Sequence, residues 1–187
     1  MNLLVLLENK FNDIEFASVL LVLQRSKKFK KIVYYNPEGI KVSGQAQLVN
    51  DIQTTNKIDA DEFDALYIPG GQGAQILRKD QTSLNLVQYF IDNNKYLFAI
   101  CDVPNVLLEH KLIPNNSPYS SYPSEWSKEF QTSNRKEAYI TKTTDKIFTA
   151  KSAGAALDFG FYILKILFGK QFSHQIYQAI TGNNDEI

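Results

Sequence analysis

Tyr96-Leu97-Phe98-Ala99-Ile100-Cys101-Asp102-Val103-Pro104 joins an apolar run directly to a cysteine and then to a proline placed to open a helix. A short continuous apolar run is the pattern of a strand covered on both faces, as in a parallel sheet. Proline is well tolerated in a helix's first turn, and Val106-Leu107-Leu108 continue that helix. Cys101 therefore stands where a nucleophile elbow would be, in a tight strand-to-helix turn that pushes a side chain out at the top of a sheet. The helix N-terminus behind it would favour thiolate. The other reading of a lone cysteine is a small buried hydrophobe, and position alone does not separate the two.

Working outward, the same strand-then-helix alternation repeats. Leu3 to Leu7 and Ala65 to Ile68 are further buried-strand runs, and Lys31 to Tyr35 reads as a strand closed by Asn36-Pro37-Glu38-Gly39. Asn12 and Asp13 are N-cap candidates for a helix from about Ile14 to Ser26, and a second helix is predicted over about Thr82 to Asn93. Short strands are expected around Gly44, between Ile40 and Ile52. Ile113 to Ser127 reads as loop, Tyr139-Ile140 and Ile147 to Ala150 as strands, and about Gly154 to Phe168 and Phe172 to Ile180 as helices. Strands alternating with helices imply a parallel sheet with helices on both faces, whose sites lie at the carboxyl ends of the strands. One domain is expected over residues 1–187.

Composition excludes several classes. Twenty Lys and Arg balance twenty Asp and Glu, so no net field draws the chain to nucleic acid or an anionic membrane. The basic cluster Arg25 to Lys31 falls at a predicted helix C-terminus, as a solvated end or an anion patch. With one Cys and two His, His110 and His174, an intramolecular disulfide is excluded and no metal site is expected. The N-terminal apolar run is broken at Glu8 and reads as a strand rather than a signal peptide, and Asp158 and Lys165 interrupt the late apolar stretch. A cytoplasmic protein without a membrane segment is expected.

Two further features point to chemistry at Cys101. Gly70 and Gly71 lie at a neighbouring strand end, where a backbone N–H could meet an oxyanion beside the amide of Asp102. Glu15, flanked by Ile14 and Phe16-Ala17, begins the first helix and falls near the same crevice. It reads either as a surface carboxylate or as a buried one, whose raised pKa would let it donate to the thiolate.

These residues resemble the ThiJ/PfpI/DJ-1 superfamily along nearly the whole chain. Phe11-Asn-Asp-Ile-Glu15 is similar to its helix-borne Glu motif, Ile68-Pro-Gly-Gly71 to its oxyanion turn, and Ala99-Ile-Cys-Asp-Val-Pro104 to its elbow. Lys151-Ser-Ala-Gly-Ala-Ala-Leu-Asp-Phe159 resembles its late Gly/Ala-rich turn. The resemblance implies a flavodoxin-like three-layer α/β sandwich with a mostly parallel sheet, commonly a homodimer without a cofactor. Cys101 would be the nucleophile or oxidation-sensitive thiol and Glu15 its protonated partner. Gly71 and Asp102 would supply the oxyanion hole, and Gly70, Tyr122 and Lys151 would border the substrate pocket. Implied activities include glyoxalase or deglycase chemistry on small reactive carbonyls or modified protein side chains. The alternative is a non-catalytic oxidative-stress sensor working through sulfinate.

Departures from the family pattern narrow this. Asp102 stands where peptidase-like and glutaminase-like members carry a His, so those readings lose their base. Tyr122, in Ser120-Ser121-Tyr122-Pro123, stands where deglycase-type members carry another His. His110 is nine residues past Cys101, on the order of 13 Å along a helix. Asp102 has two readings, a carboxylate lining the pocket or one turned to cap the helix, and its charge is expected to oppose the thiolate. Trp126 and Tyr119 read either as pocket wall or as packing.

Overall fold

Alternate residues of a strand point to opposite faces of its sheet, and the apolar runs use both faces. The computed structural model describes residues 1–184, so the last three residues of the expected 1–187 domain lie outside the described residues. In chain order the elements are β1 (Asn2–Leu6), α1 (Asp13–Arg25), β2 (Lys31–Tyr35), β3 (Lys41–Val42), β4 (Ile52–Gln53), β5 (Ala65–Ile68), α2 (Gly73–Leu77), α3 (Gln81–Asp92) and β6 (Tyr96–Ile100). They continue with α4 (Val103–Glu109), β7 (Tyr119–Ser120), β8 (Arg135–Lys136), β9 (Ile140–Lys142), β10 (Ile147–Ala150), α5 (Ala156–Phe168) and α6 (Lys170–Thr181).

The main sheet has the order β2-β1-β5-β6-β10-β9. Every pairing is parallel except the antiparallel edge pair β10–β9, so the sheet is flavodoxin-like with one reversed edge strand. Leu3 and Val5 of β1 face one side with Tyr67, Phe98 and Phe148, under α1, α5 and α6. Leu4 and Leu6 face the other with Leu66, Leu97 and Ala99, under α2, α3 and α4. Each apolar side chain buried this way contributes about 1.5–3 kcal/mol. On the first face α1 and α5 approach so closely that a Cβ on Gly160 would lie 2.8 Å from Val22 Cβ.

Three parts of the chain differ from the sequence reading. The Pro-Gly-Gly turn runs into a short helix, α2, rather than a loop. The Ile113–Ser127 stretch contains β7, which pairs in parallel with β8, and a 3-10 turn begins at Glu125 and ends at Phe130. These pieces are too short to show hydrophobic periodicity. The basic cluster is partly engaged: Lys31 pairs with Glu62 at 2.7 Å and the Lys28 ammonium lies 4.8 Å from the centre of the Phe172 ring. Among the described residues no helix is long and apolar enough to cross a membrane.

Candidate active site

The carboxyl ends of β1, β5, β6 and β10 are tied together by backbone hydrogen bonds. Asn12 N–H donates to Gly70 carbonyl at 2.9 Å, and Cys101 N–H donates to Ala150 carbonyl at 3.0 Å. Cys101 adopts φ +67°, the left-handed region that a residue with a Cβ enters at a cost of order 1–3 kcal/mol. That strain turns its side chain out of the strand, as the elbow reading requires. Gly71 has φ +87°, and a Cβ there would lie 2.5 Å from Asn12 N, so only glycine fits.

Asn12 is the N-cap of α1, its side chain accepting from Ile14 N at 3.0 Å and Glu15 N at 3.2 Å. The first helical turn then points Ile14 outward and buries Glu15 completely. Glu15 Oε2 accepts from Gly70 N–H at 2.7 Å, and Oε1 is buried without an N–H or O–H donor. The carboxyl lies within hydrogen-bonding reach of the Cys101 thiol. Asp13 is not the cap: its carboxylate accepts from the N–H groups of Ala46, Leu48 and Val49. Burial would raise its pKa, but those donors outweigh it and hold the group below the ordinary value of 3.8. Two carboxyls two residues apart thus have opposite character, because one meets three amides and the other meets one and a sulfur.

Burial pushes Glu15 from 4.5 up to about 7, against the Gly70 amide and the Cys101 thiol, which favour the ion. Burial and the negative charge of ionised Glu15 push the Cys101 thiol up, opposed by the nearby Gly71 and Asp102 N–H groups, which favour the thiolate. The pair therefore titrates as a unit, its first proton leaving near pH 7. The thiol is less acidic than a helix N-terminus alone would make it, as expected, but the main causes are burial and Glu15 rather than the charge of Asp102.

A cavity of about 410 Å³ opens over the sulfur. Of the expected site residues it brings together Cys101, Glu15, Gly71, Asp102 and Tyr122, and it adds Asn12, Gln45, Gln72, Ser124 and Ser152. Three placements differ from expectation. Gly70 stands behind Cys101, 2.5 Å from Cys101 Cβ to an added methyl, and serves Glu15 rather than the pocket. Lys151 is not in the cavity lining, since its ammonium pairs with Glu137. The Asp102 side chain caps no helix and does not point into the pocket as a free charge: it is buried and accepts from Gln75, Asn105 and Ser127. Trp126 walls the cavity, whereas Tyr119 is fully buried with its hydroxyl accepting from Thr132 N. Neither histidine lines the cavity; His110 Nε2 meets the Arg78 carbonyl at 3.0 Å and His174 stacks on Tyr177.

Fold and site together define an α/β protein with a strained cysteine elbow, a facing buried carboxyl and two converging amides. The chain belongs to the DJ-1/PfpI family, whose model matches residues 1–166. It is 40% identical over 164 residues to an uncharacterized protein of Mycoplasma genitalium, covering 87% of this chain and 86% of that one. It is 30% identical over 117 residues to protein/nucleic acid deglycase 2 of Escherichia coli, covering 58% of this chain and 64% of that protein. The solved structure of oxidized Toxoplasma gondii DJ-1 superposes with a TM-score of 0.83 at 21% identity, covering 96% of this chain and 97% of that one, a likeness of fold.

Proposed function

We propose that this protein acts on small reactive carbonyls through covalent chemistry at Cys101, with Glu15 carrying the proton. The observation that supports the reading is that Cys101, the buried Glu15, Gly71 and Asp102 border one cavity at the strand ends. As the sulfur adds to an aldehyde carbon, the thiol proton passes to Glu15 and the carbonyl electron pair moves onto oxygen. The two amides stabilise that oxyanion. For a dicarbonyl, proton transfer between the adjacent carbons gives a thioester, and water releases a hydroxy acid and regenerates the thiol. The absence of a histidine from the cavity lining disfavours Cys-His proteolysis. The deglycase name of the Escherichia coli relative supports a carbonyl or carbonyl-modified side chain as partner. Balanced charge supports neither nucleic acid nor a membrane. We also expect a cytoplasmic homodimer.

Turnover of methylglyoxal by the purified protein, abolished in Cys101→Ser and strongly reduced in Glu15→Gln, is the expected result. No Cys101-dependent turnover across a dicarbonyl panel would overturn it. A second reading is favoured by the donor-free Glu15 Oε1, which, protonated, could hold an oxygen on the sulfur. Each peroxide molecule would deliver one oxygen to Cys101 and leave as water, reaching sulfinate after two. An adduct of two oxygens in the intact mass, lost in Cys101→Ser and formed without any carbonyl turnover, would favour this reading over the first.

A further inference from the structure

We propose that the Asp102 side chain, with Arg78, latches the turn carrying Trp126 onto the nucleophile elbow and so sets the wall above Cys101. The inference takes from the preceding section only that Cys101 is the reacting atom.

The Asp102 carboxylate lies behind the elbow and gathers groups from separate parts of the chain. Gln75 Nε2 of α2 donates to Oδ2 at 2.6 Å, and the Arg78 guanidinium lies 3.8 Å from the same oxygen. Asn105 Nδ2 of α4 donates to Oδ1 at 2.8 Å, and Ser127 Oγ donates to it at 2.7 Å. Arg78 closes the network by donating to Ser127 Oγ at 2.6 Å, to Glu109 at 2.5 Å and to the Gln75 side-chain carbonyl. The fixed fork of a guanidinium suits one cation to several acceptors in this way.

Both aromatic residues of the cavity hang from this network. Trp126 precedes the fully buried Ser127, whose hydroxyl is held between Arg78 and Asp102. Tyr122 is held through its backbone, its carbonyl accepting from Asn105 Nδ2 at 2.9 Å and its N–H donating to the Cys101 carbonyl at 2.8 Å. Neither ring is fixed by burial, since Trp126 is 63% and Tyr122 48% exposed. The placement of Trp126 therefore depends on the charge-assisted hydrogen bonds of Ser127, which are the strong kind, and that of Tyr122 on neutral bonds to its own backbone from Asn105 and to Cys101. A buried ion pair adds little net stability over an apolar filling of the same volume. What this one supplies is geometry, because its partners come from three of the segments that border the cavity. Asp102 thus serves the site twice, through its amide toward the sulfur and through its carboxylate as a positioning group.

Trp126 is the chain's one tryptophan, so it reports on the latch directly. The test compares Ser127→Ala, Asp102→Asn and their double variant with the parent protein, reading Trp126 fluorescence anisotropy. It also reads the ratio of Cys101 alkylation rates with fluorescein iodoacetamide and with iodoacetamide. Neither readout needs turnover, so a protein inactive on every carbonyl still passes or fails. Each single variant should lower the anisotropy and raise the bulky-to-small ratio about tenfold, the weight of one hydrogen bond to a charged group. The double variant should go no further than Asp102→Asn alone, since both act on one latch. Unchanged anisotropy and ratio in the single variants would overturn the proposal. So would an additive double variant, or an equal change in Val22→Ala, a core control that weakens the fold away from the network.

Discussion

Glu15→Gln replaces the buried carboxyl by a neutral amide of the same shape, and its effect on stability should depend on pH with a defined sign. Burial raises the folded-state value of Glu15 from 4.5 to about 7, so between those limits the native state holds the proton more tightly than the unfolded chain. The favourable contribution is therefore fully present below 4.5 and is lost as pH rises through about 7. That interval, at about 1.4 kcal/mol per pH unit, corresponds to about 3 kcal/mol. The glutamine variant lacks this titration, so relative to the parent protein it should gain about 3 kcal/mol between pH 4 and pH 8. Urea denaturation of both proteins at intervals across that range measures the difference, with other titrating groups cancelling between the two. A difference constant to within about 0.5 kcal/mol, ordinary for a surface change, would refute the claim that this carboxyl is buried beside the sulfur and holds a proton there.

The other expectations concern the same pair and the packing that supports it. Alkylation of Cys101 by iodoacetamide should rise only above the ordinary thiol value of 9.0, because burial and the Glu15 carboxylate hold the thiol up; in Glu15→Gln the rise should move to lower pH, since that charge is gone while burial remains. A Glu15→Gln profile that overlays the parent would count against the carboxylate acting on the thiol. Glu8, pushed to about 7 chiefly by burial, should likewise make Glu8→Gln gain stability relative to the parent as pH rises from 4.5 toward 7, but with Cys101 alkylation unchanged; a pH-independent difference in urea would contradict this. Gly160→Ala should cost about 1–3 kcal/mol by overpacking, since its methyl would meet Val22, and Val22→Ala in the same chain should recover part of that loss in thermal melts.

The apolar runs around β1, β2, β5, β6 and β10, and the helices α1, α3 and α5, were readable because periodicity and turn chemistry are properties of residues adjacent in the chain. The same holds for the elbow at Cys101 and the Gly70-Gly71 turn, where a strand end, a glycine pair and a helix-opening proline sit within a few residues. The short elements α2, β7 and β8 escaped, being below the length at which a period can be recognised. Arg78 and Ser127 gave no signal either: in the sequence each is a polar residue in a polar turn, and only the fold brings both to Asp102.

Sequence alone determined the layered α/β architecture and the residue that bears the thiol, since both follow from local hydrophobic pattern and backbone chemistry. Tertiary structure decided what surrounds that thiol. Whether Glu15 was buried, whether Asp102 faced the pocket and whether Lys151 was available each depended on partners far along the chain: Gly70 for Glu15, Gln75 and Ser127 for Asp102, and Glu137 for Lys151. A polar side chain can satisfy its hydrogen bonds in several rotamers. The choice among them is made by donors and charges that only the folded chain brings within reach.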